Sequence, residues 1–411
     1  MLQIKREELK NILRKRKSFP TAVEKTVSKI ISDIEKKGDA ALRYWTEKLD
    51  GVRIDDFRVS EKEIQSCLEK ILDSDRKIIK ETVRRIENYH RKQKIPGFSI
   101  KEKGIRIDFR TKPVKRAGIY IPAGTAPLLS TVLMTAIPAK IAGVKEIVAC
   151  SPPSYRGSIH PYIVGTLSMI GIKKIFRAGG SQAIAAMAYG TDTIPQVNVI
   201  AGPGNIYVNA AKKMLVGKVG IDLLAGPSEL TVLLDETANP SWIESDLKAQ
   251  EEHRDGLVFL VSTDKKIARK IANRISSGYS IMVNSIDEGI DVVNEIAPEH
   301  AQIVCRNARK IAEKIIAGAI FVGNHTPCAL GDYIAGPSHT LPTGGNASFD
   351  SGLSVFNFLR TYAVIEANSS FFQKNGTIAE RLAEIENLSQ HQISLRIRRE
   401  LTQVKGEENE Y

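Results

Sequence analysis

Between residues 117 and 235 the chain repeats one plan: a short run rich in β-branched residues, a glycine turn, then a helix of small residues. KEIVACSPP is such a run and ends in turn residues. KIFRAGGSQAIAAMAYG passes from strand through Gly179 and Gly180 into a helix, and VNVIAGPGNIYVNAAKKML does the same. IDLLAGPSELTVLLD follows. Strands separated by helices must pair through crossovers, so this pattern calls for parallel βαβ units rather than hairpins. From 239 the alternation resumes with a helix over 240–253, strand GLVFLVST, helix KKIARKIANRI, strand YSIMVN, a helix through Val292 and a strand near AIFVG. The first 95 residues read as helical, GIRIDFRTKPV and RAGIYIPAG as strands, and the tail from about 366 as helix. The expectation is an α/β protein with two α/β units and smaller helical segments at both ends.

Length and charge narrow the function classes. A chain of 411 residues has room for two domains at about 100–200 residues each. No apolar run reaches the roughly 18–20 residues of a membrane span, so no membrane association is expected. The opening MLQIKREELKNILRKRKS is basic and amphipathic without an apolar h-region, which points to a cytoplasmic location. Residues 1–116 hold 32 Lys and Arg against 19 Asp and Glu, which leaves the rest of the chain at −1 of the total +12. In this basic part the charges alternate in sign, as in EKEIQSCLEKILDSDRKIIKETVRR. That reads as a solvated helical face, so no nucleic-acid partner is expected. Cys67, Cys150, Cys305 and Cys328 are far apart with no CxxC spacing, so any metal must use nitrogen and oxygen ligands.

Several short stretches carry chemistry-bearing side chains. GPGNIYV has Gly202 and Gly204 but Tyr207 where a dinucleotide fingerprint would have its third glycine. These glycines serve either a bound nucleotide or simply a tight turn. AGGSQ, AGPGN and AGPSE read as three glycine-rich strand ends carrying Gln182, Asn205 and Ser228, which together could line one cleft. In SDLKAQEEHRDG, Asp246, Gln250 and His253 share a helix face that is either solvated or ligand-bearing. EIAPEHAQIVC places Glu299 beside His300 after a proline, as a proton-exchanging pair or a surface loop. The long loop NHTPCALGDYIAGPSHTLPTGG offers His325, Asp332 and His339, and ENLSQHQ brings Glu386 near His391. His253, Asp332 and His391 have the donor types of a zinc site, whereas Gln250 is an unusual ligand.

Taken in order, AGIYIPAGTAPLLSTVLMTAIPAKIAGVKEIVACSPP, AGGSQAIAAMAYGTDTIPQVNVIAGPGNIYV, IDLLAGPSELTVL, SDLKAQEEHRDG, APEHAQIV, GDYIAGPSHTLPTGG and ENLSQHQISLRIR resemble the histidinol dehydrogenase family. The resemblance runs from about 115 to 398. It implies oxidation of L-histidinol to L-histidine through an aldehyde, with two NAD+ and one zinc per subunit. It implies zinc ligands Gln250, His253, Asp332 and His391, and an acid/base pair Glu299 and His300. Ser228, His339 and Glu386 are then substrate contacts alongside the zinc ligands and His300, and Tyr120, Gln182 and Asn205 are NAD contacts. The implied architecture is two incomplete Rossmann-like domains in an intertwined homodimer, with His391 and Glu386 given to the partner subunit. The corresponding division is a helical segment 1–17, a first α/β domain 18–119 plus 230–353, a second over 120–229, and a helical tail 354–411. One departure is Asn387, where glycine is usual. Rival readings are a zinc- and NAD-dependent dehydrogenase of another amino alcohol or diol, an aldehyde dehydrogenase using Cys328, and a zinc hydrolase.

Overall fold

The structure, a computed structural model, describes residues 1–14, 20–123, 126–252 and 256–407. The chain begins with β1 (Leu2–Ile4) and α1 (Arg6–Arg14), then α2 (Thr21–Lys37), α3 (Asp39–Asp50), α4 (Glu61–Glu69) and α5 (Asp73–Arg91). Strands β2 (Phe98–Glu102), β3 (Ile105–Pro113) and β4 (Arg116–Tyr120) follow. The alternating part runs α6 (Leu129–Ala142), β5 (Glu146–Ser151), α7 (Pro161–Met169), β6 (Lys174–Arg177), α8 (Gly180–Tyr189), β7 (Val199–Ala201), α9 (Ile206–Leu215) and β8 (Gly220–Ile221). A second alternating part runs β9 (Glu229–Leu234), α10 (Pro240–Glu251), β10 (Leu257–Ser262), α11 (Lys265–Ala272), β11 (Tyr279–Met282), α12 (Ile286–Ile296), β12 (His300–Val304), α13 (Ala308–Ala312), β13 (Ala319–Val322) and α14 (Cys328–Tyr333). The tail holds β14 (Leu359–Ala367), α15 (Ser369–Ile385) and α16 (Ser389–Glu407). Among the described residues no helix is long and apolar enough to cross a membrane.

The contacts divide the chain into two units, one of Met1–Lys94 with Val114–Phe358 and one of Ile95–Pro113 with Leu359–Tyr411. The first unit carries two parallel sheets. One has the order β6-β5-β4-β7-β8 and the other β1-β11-β10-β9-β12-β13. In chain order each parallel set reads third, second, first, fourth, fifth, with β1 added at one edge of the second. This is the doubly-wound arrangement without its sixth strand, and the strand order reverses at β4/β7 and at β9/β12. The two incomplete Rossmann-like halves read from the sequence are therefore present.

Both sheets are covered on both faces, as their apolar runs require. Ile119, Ala149, Ile175 and Ala201 face a core shared with α4–α7, while Val148, Phe176 and Ile200 face α2, α3, α8 and α9. In the other sheet Leu233, Phe259, Ile281 and Ile303 pack toward α1, α12 and α13, and Leu230, Val232, Leu260 and Val304 toward α10 and α11. Two details differ from the sequence reading. Residues 2–4, read as part of a helical segment, pair in parallel with Tyr279–Ile281. Helices α2–α5, grouped in the sequence reading with residues 230–353, make their core contacts on the five-stranded sheet.

The second unit is a three-stranded antiparallel sheet, β14-β3-β2, and the helical hairpin α15–α16. The tail is thus not wholly helical, because LRTYAVIEA pairs along its full length with β3, from Leu359 opposite Pro113 to Ala367 opposite Ile105. Its β-branched and aromatic residues suit that pleat better than a helix. Between α15 and α16, Asn387 has φ 58°, and the Leu388 amide reaches back to the Ala383 carbonyl at 2.9 Å. This is a left-handed helix stop, and asparagine is the side chain that tolerates it best after glycine. The departure noted at Asn387 is therefore a helix stop in which asparagine takes the left-handed place that glycine usually fills.

Candidate active site

The adjacent strands β9 and β12 begin side by side, with Leu230 opposite His300. Helix α12 ends at Ala297 in a left-handed conformation, and Pro298 prevents its continuation. The Glu299 carbonyl then accepts the Ala319 amide at 2.9 Å, and a Cβ on Gly318 would lie 2.7 Å from that same oxygen. The backbone of the pair is therefore held from β13, whose approach requires glycine at 318.

Both side chains are nearly buried, Glu299 at 7% exposure and His300 at 5%. Glu299 Oε2 accepts hydrogen bonds from Ser228 Oγ at 2.6 Å and from the Glu229 amide at 3.0 Å. It lies 3.6 Å from His300 Nδ1, which is also 3.3 Å from the Glu229 carbonyl. With the proton on Nδ1 and directed to that carbonyl, Nε2 carries the lone pair that can take a proton. The Phe321 ring sits 5.7 Å from the imidazole at 45°. Ser228, Glu299 and His300 therefore form one connected cluster at the amino edge of the six-stranded sheet.

That position corrects one expectation. AGGSQ and AGPGN follow β6 and β7, at carboxyl ends of the five-stranded sheet, but AGPSE precedes β9. Strand β8 is only two residues long, and the following segment leads to the other sheet. Ser228 thus does not join Gln182 and Asn205 on one sheet edge.

Strand alternation places His300 and Gln302 on the α10 side of β12, with Ala301 and Ile303 on the other. Gln302 is fully buried and its Nε2 donates to Asp246 Oδ2 at 2.7 Å. Burial raises the Asp246 carboxyl above its ordinary range, against the opposing effect of that hydrogen bond. One helical turn on, Gln250 is 5% exposed, and among the described residues its buried side-chain nitrogen meets no hydrogen-bond partner. The nitrogen and oxygen of such an amide can exchange places, so Gln250 offers either end into the site. Asn239 and Pro240 start this helix, the asparagine accepting the amides of Ser241 and Trp242. His253, the next residue on the predicted ligand face, lies outside the described residues.

Helix α14 brings Asp332 toward this region. Gly331 packs against Phe321, where a Cβ would come within 2.7 Å of the ring, so the helix lies flush on the residue that also touches His300. At the start of α14 the Cys328 thiol is held well above its usual range, first by burial and then by the carboxylates of Asp246, Asp332 and Glu299. A thiol held protonated in this way is a poor nucleophile, which argues against that role for Cys328. His339 Nδ1 contacts the Asp332 carbonyl at 3.2 Å, and its Nε2 is 3.5 Å from Thr131 Oγ1 on α6. Among the described residues no three His, Cys, Asp or Glu side chains converge as a metal site. Of the residues expected to hold zinc, Gln250 and Asp332 are in this unit, and an amide and a carboxylate suit a zinc shell completed by imidazoles. His391 lies on α16, and Glu386 caps α15, both exposed in the second unit.

The expected nucleotide contacts gather at the other switch point. Tyr120 ends β4, and its buried hydroxyl accepts the Gly180 amide at 3.0 Å. Burial pushes that hydroxyl to a higher pKa. Gln182 is fully buried and donates to Asp50 Oδ2 at 3.0 Å, so its amide serves an internal partner. Asn205 caps α9, accepting the amides of Tyr207 at 3.0 Å and Val208 at 3.1 Å. Gly202 passes directly over the Tyr120 carbonyl, where a Cβ would lie only 2.0 Å away.

Sequence reasoning left Asp246 without a role and passed over Gln302 and Phe321. The available signal for Gln302 was its spacing in HAQIV, two residues after His300 and hence on the same strand face.

The family profile of histidinol dehydrogenase matches residues 13–399. Histidinol dehydrogenase of Prochlorococcus marinus (strain MIT 9312) is 41% identical over 394 residues, covering 90% of this chain and 89% of its own. That of Methanocaldococcus jannaschii is 37% identical and covers 96% of this chain and 97% of its own. The crystal structure of histidinol dehydrogenase from Elizabethkingia anophelis superposes with a TM-score of 0.90 at 36% identity, covering 97% of this chain and 98% of its own.

Proposed function

The chain belongs to the histidinol dehydrogenase family, and on that premise we propose that it oxidises L-histidinol to L-histidine through L-histidinaldehyde, the last step of L-histidine biosynthesis. The observation that carries this reading is the connected Ser228–Glu299–His300 cluster beside the helix that offers Gln250. We further infer that Gln250, His253 and Asp332, with His391 from a second copy's tail, hold one zinc. When bound, NAD+ supplies the hydride acceptor for each oxidation, and zinc supplies a fixed template for the substrate's nitrogen donors.

His300 takes the hydroxyl proton through Nε2 as hydride leaves the carbinol carbon. The Glu229 carbonyl and the Glu299 carboxylate, both near Nδ1, orient the ring and stabilise its protonated form. In the second oxidation Glu299 removes a proton from the water that attacks the aldehyde, and His300 takes the proton of the resulting hydrate as the second hydride departs. Ser228 and the Glu229 amide hold Glu299 Oε2 and so orient the carboxylate toward that water. The low exposure of both groups limits competing solvent. Glu386 pairs with the imidazole N–H and selects for that ring, and His339 lines the pocket. Tyr120, Gln182 and Asn205 are assigned to the nucleotide side. Exposed Ile378, Leu382, Ile385 and Leu388 on the tail support a homodimer that covers them.

The test is NADH formation with L-histidinol, with and without a zinc chelator. Two NADH per histidinol, lost with chelator and regained with zinc, is the expected result. Turnover of other amino alcohols without turnover of histidinol would overturn it.

A further inference from the structure

We propose that Lys212, Asp222 and Asn209 are positioning residues that hold the AGPGN turn in its cofactor-receiving shape. This rests on the reading that AGPGN receives NAD+.

Lys212 is fully buried and forms an ion pair with the buried Asp222 carboxylate. The two clasp a single residue from both sides: Lys212 Nζ donates to the Gly202 carbonyl at 3.0 Å, and the Gly202 amide donates to Asp222 Oδ2 at 2.8 Å. Gly202 has φ 129° and no room for a Cβ against the Tyr120 carbonyl, so this backbone is available to glycine alone. A buried ion pair is a poor way to gain stability, since apolar replacements often serve as well. Here it satisfies both polar groups of one unusually shaped residue and thereby sets the direction of the turn.

Asn209 lies one turn before Lys212 on the same face of α9. Its amide nitrogen donates to the carbonyls of Gly204 at 2.8 Å and Asn205 at 3.1 Å, and its oxygen accepts the Ala225 amide at 3.2 Å. One side chain thus spans the two glycine turns. Asp222 is anchored in turn, its carbonyl accepting Asn357 Nδ2 at 3.3 Å and its amide donating to the Ile200 carbonyl at 3.0 Å. From Ala225 the chain reaches Ser228, whose hydroxyl holds Glu299. The turn at the switch point of the five-stranded sheet is thus braced both by the Lys212–Asp222 clasp and by Asn209, which also holds the Ala225 amide.

The test uses the zinc-loaded full chain and two variants, the charge-free pair Lys212→Met/Asp222→Asn and the single Asn209→Leu, with KM for NAD+ and for histidinol measured separately. Loss of such hydrogen bonds is expected to raise KM for NAD+ by about tenfold or more, with KM for histidinol and zinc content within about twofold of wild type. If the double variant does not fold, Asn209→Leu carries the same criterion. KM for NAD+ unchanged, or both KM values rising together, overturns the positioning role. A wild-type protein that shows no NAD+ dependence overturns the functional reading instead.

Discussion

Replacing Glu299 with glutamine changes one atom and separates stability from chemistry. Glu299 Oε2 accepts two hydrogen bonds, from Ser228 and the Glu229 amide. A glutamine oxygen can accept both, but as a neutral acceptor. Charge-assisted bonds contribute about 1.5–3 kcal/mol each and neutral ones about 0.5–1.5, so the gross loss is about 2 kcal/mol for the two. Burying a neutral amide costs less than burying a carboxylate, which offsets part of this. The net change in stability should therefore stay within about 1–2 kcal/mol. Glutamine cannot accept the proton of the attacking water, and proton transfer of this kind contributes about 10²–10⁴-fold. That is roughly 2.7–5.4 kcal/mol of barrier, more than the structural effect. NADH formation should be followed from histidinol and, separately, from histidinaldehyde, alongside thermal unfolding. The aldehyde reaction should fall by at least about 100-fold, with a smaller effect on the alcohol reaction. An aldehyde rate within about tenfold of wild type would refute the assignment of Glu299 as the base.

Cys328→Ser should retain turnover within a few-fold, because burial and three carboxylates hold the thiol protonated; a loss beyond about 100-fold would restore the thiol mechanism. His391→Ala and His253→Ala proteins, each inactive, should regain about a quarter of wild-type activity when mixed and allowed to exchange, since half the dimers are then hybrids with one intact site. No recovery would show that the sites are not shared between subunits. His90 is fully buried beside Gln93, and burial holds its imidazole below the ordinary value near 6.5. The unfolded chain therefore binds the extra proton more readily, and this stability contribution is present above about 6.5 and lost as the pH falls toward the folded pKa. The stability lead of wild type over His90→Gln should shrink on acidification from about 7 to 5, and a lead that grows would contradict the sign.

The sequence makes the doubly-wound halves legible because each strand there is a run of buried β-branched residues closed by a turn that demands glycine. The edges are harder to read. LQI at 2–4 has too few residues to show a period, and only the open edge of β11 makes it a strand. LRTYAVIEA alternates weakly because most of it is exposed, and its partner β3 lies some 250 residues earlier. AGPSE has the same letters as the true strand ends, and its place before β9 depends on a chain crossing that no local pattern encodes. At the site, Glu299 and His300 are recognisable as types, but their connection to Ser228 needs the β9/β12 register. Gln302 was invisible as a partner because its meaning comes from Asp246, 56 residues away in sequence.

The bond between Gln302 and Asp246 joins the strand that presents His300 to the helix that presents Gln250. An empty site built on two separately moving elements would have to align them each time a ligand arrives, and part of the binding free energy would be lost to that alignment. Here a slide of β12 or a roll of α10 must first break the hydrogen bond between the fully buried Gln302 amide and the half-buried Asp246 carboxylate. That bond favours one mutual placement of the Gln250 amide and the His300–Glu299 pair before any ligand arrives.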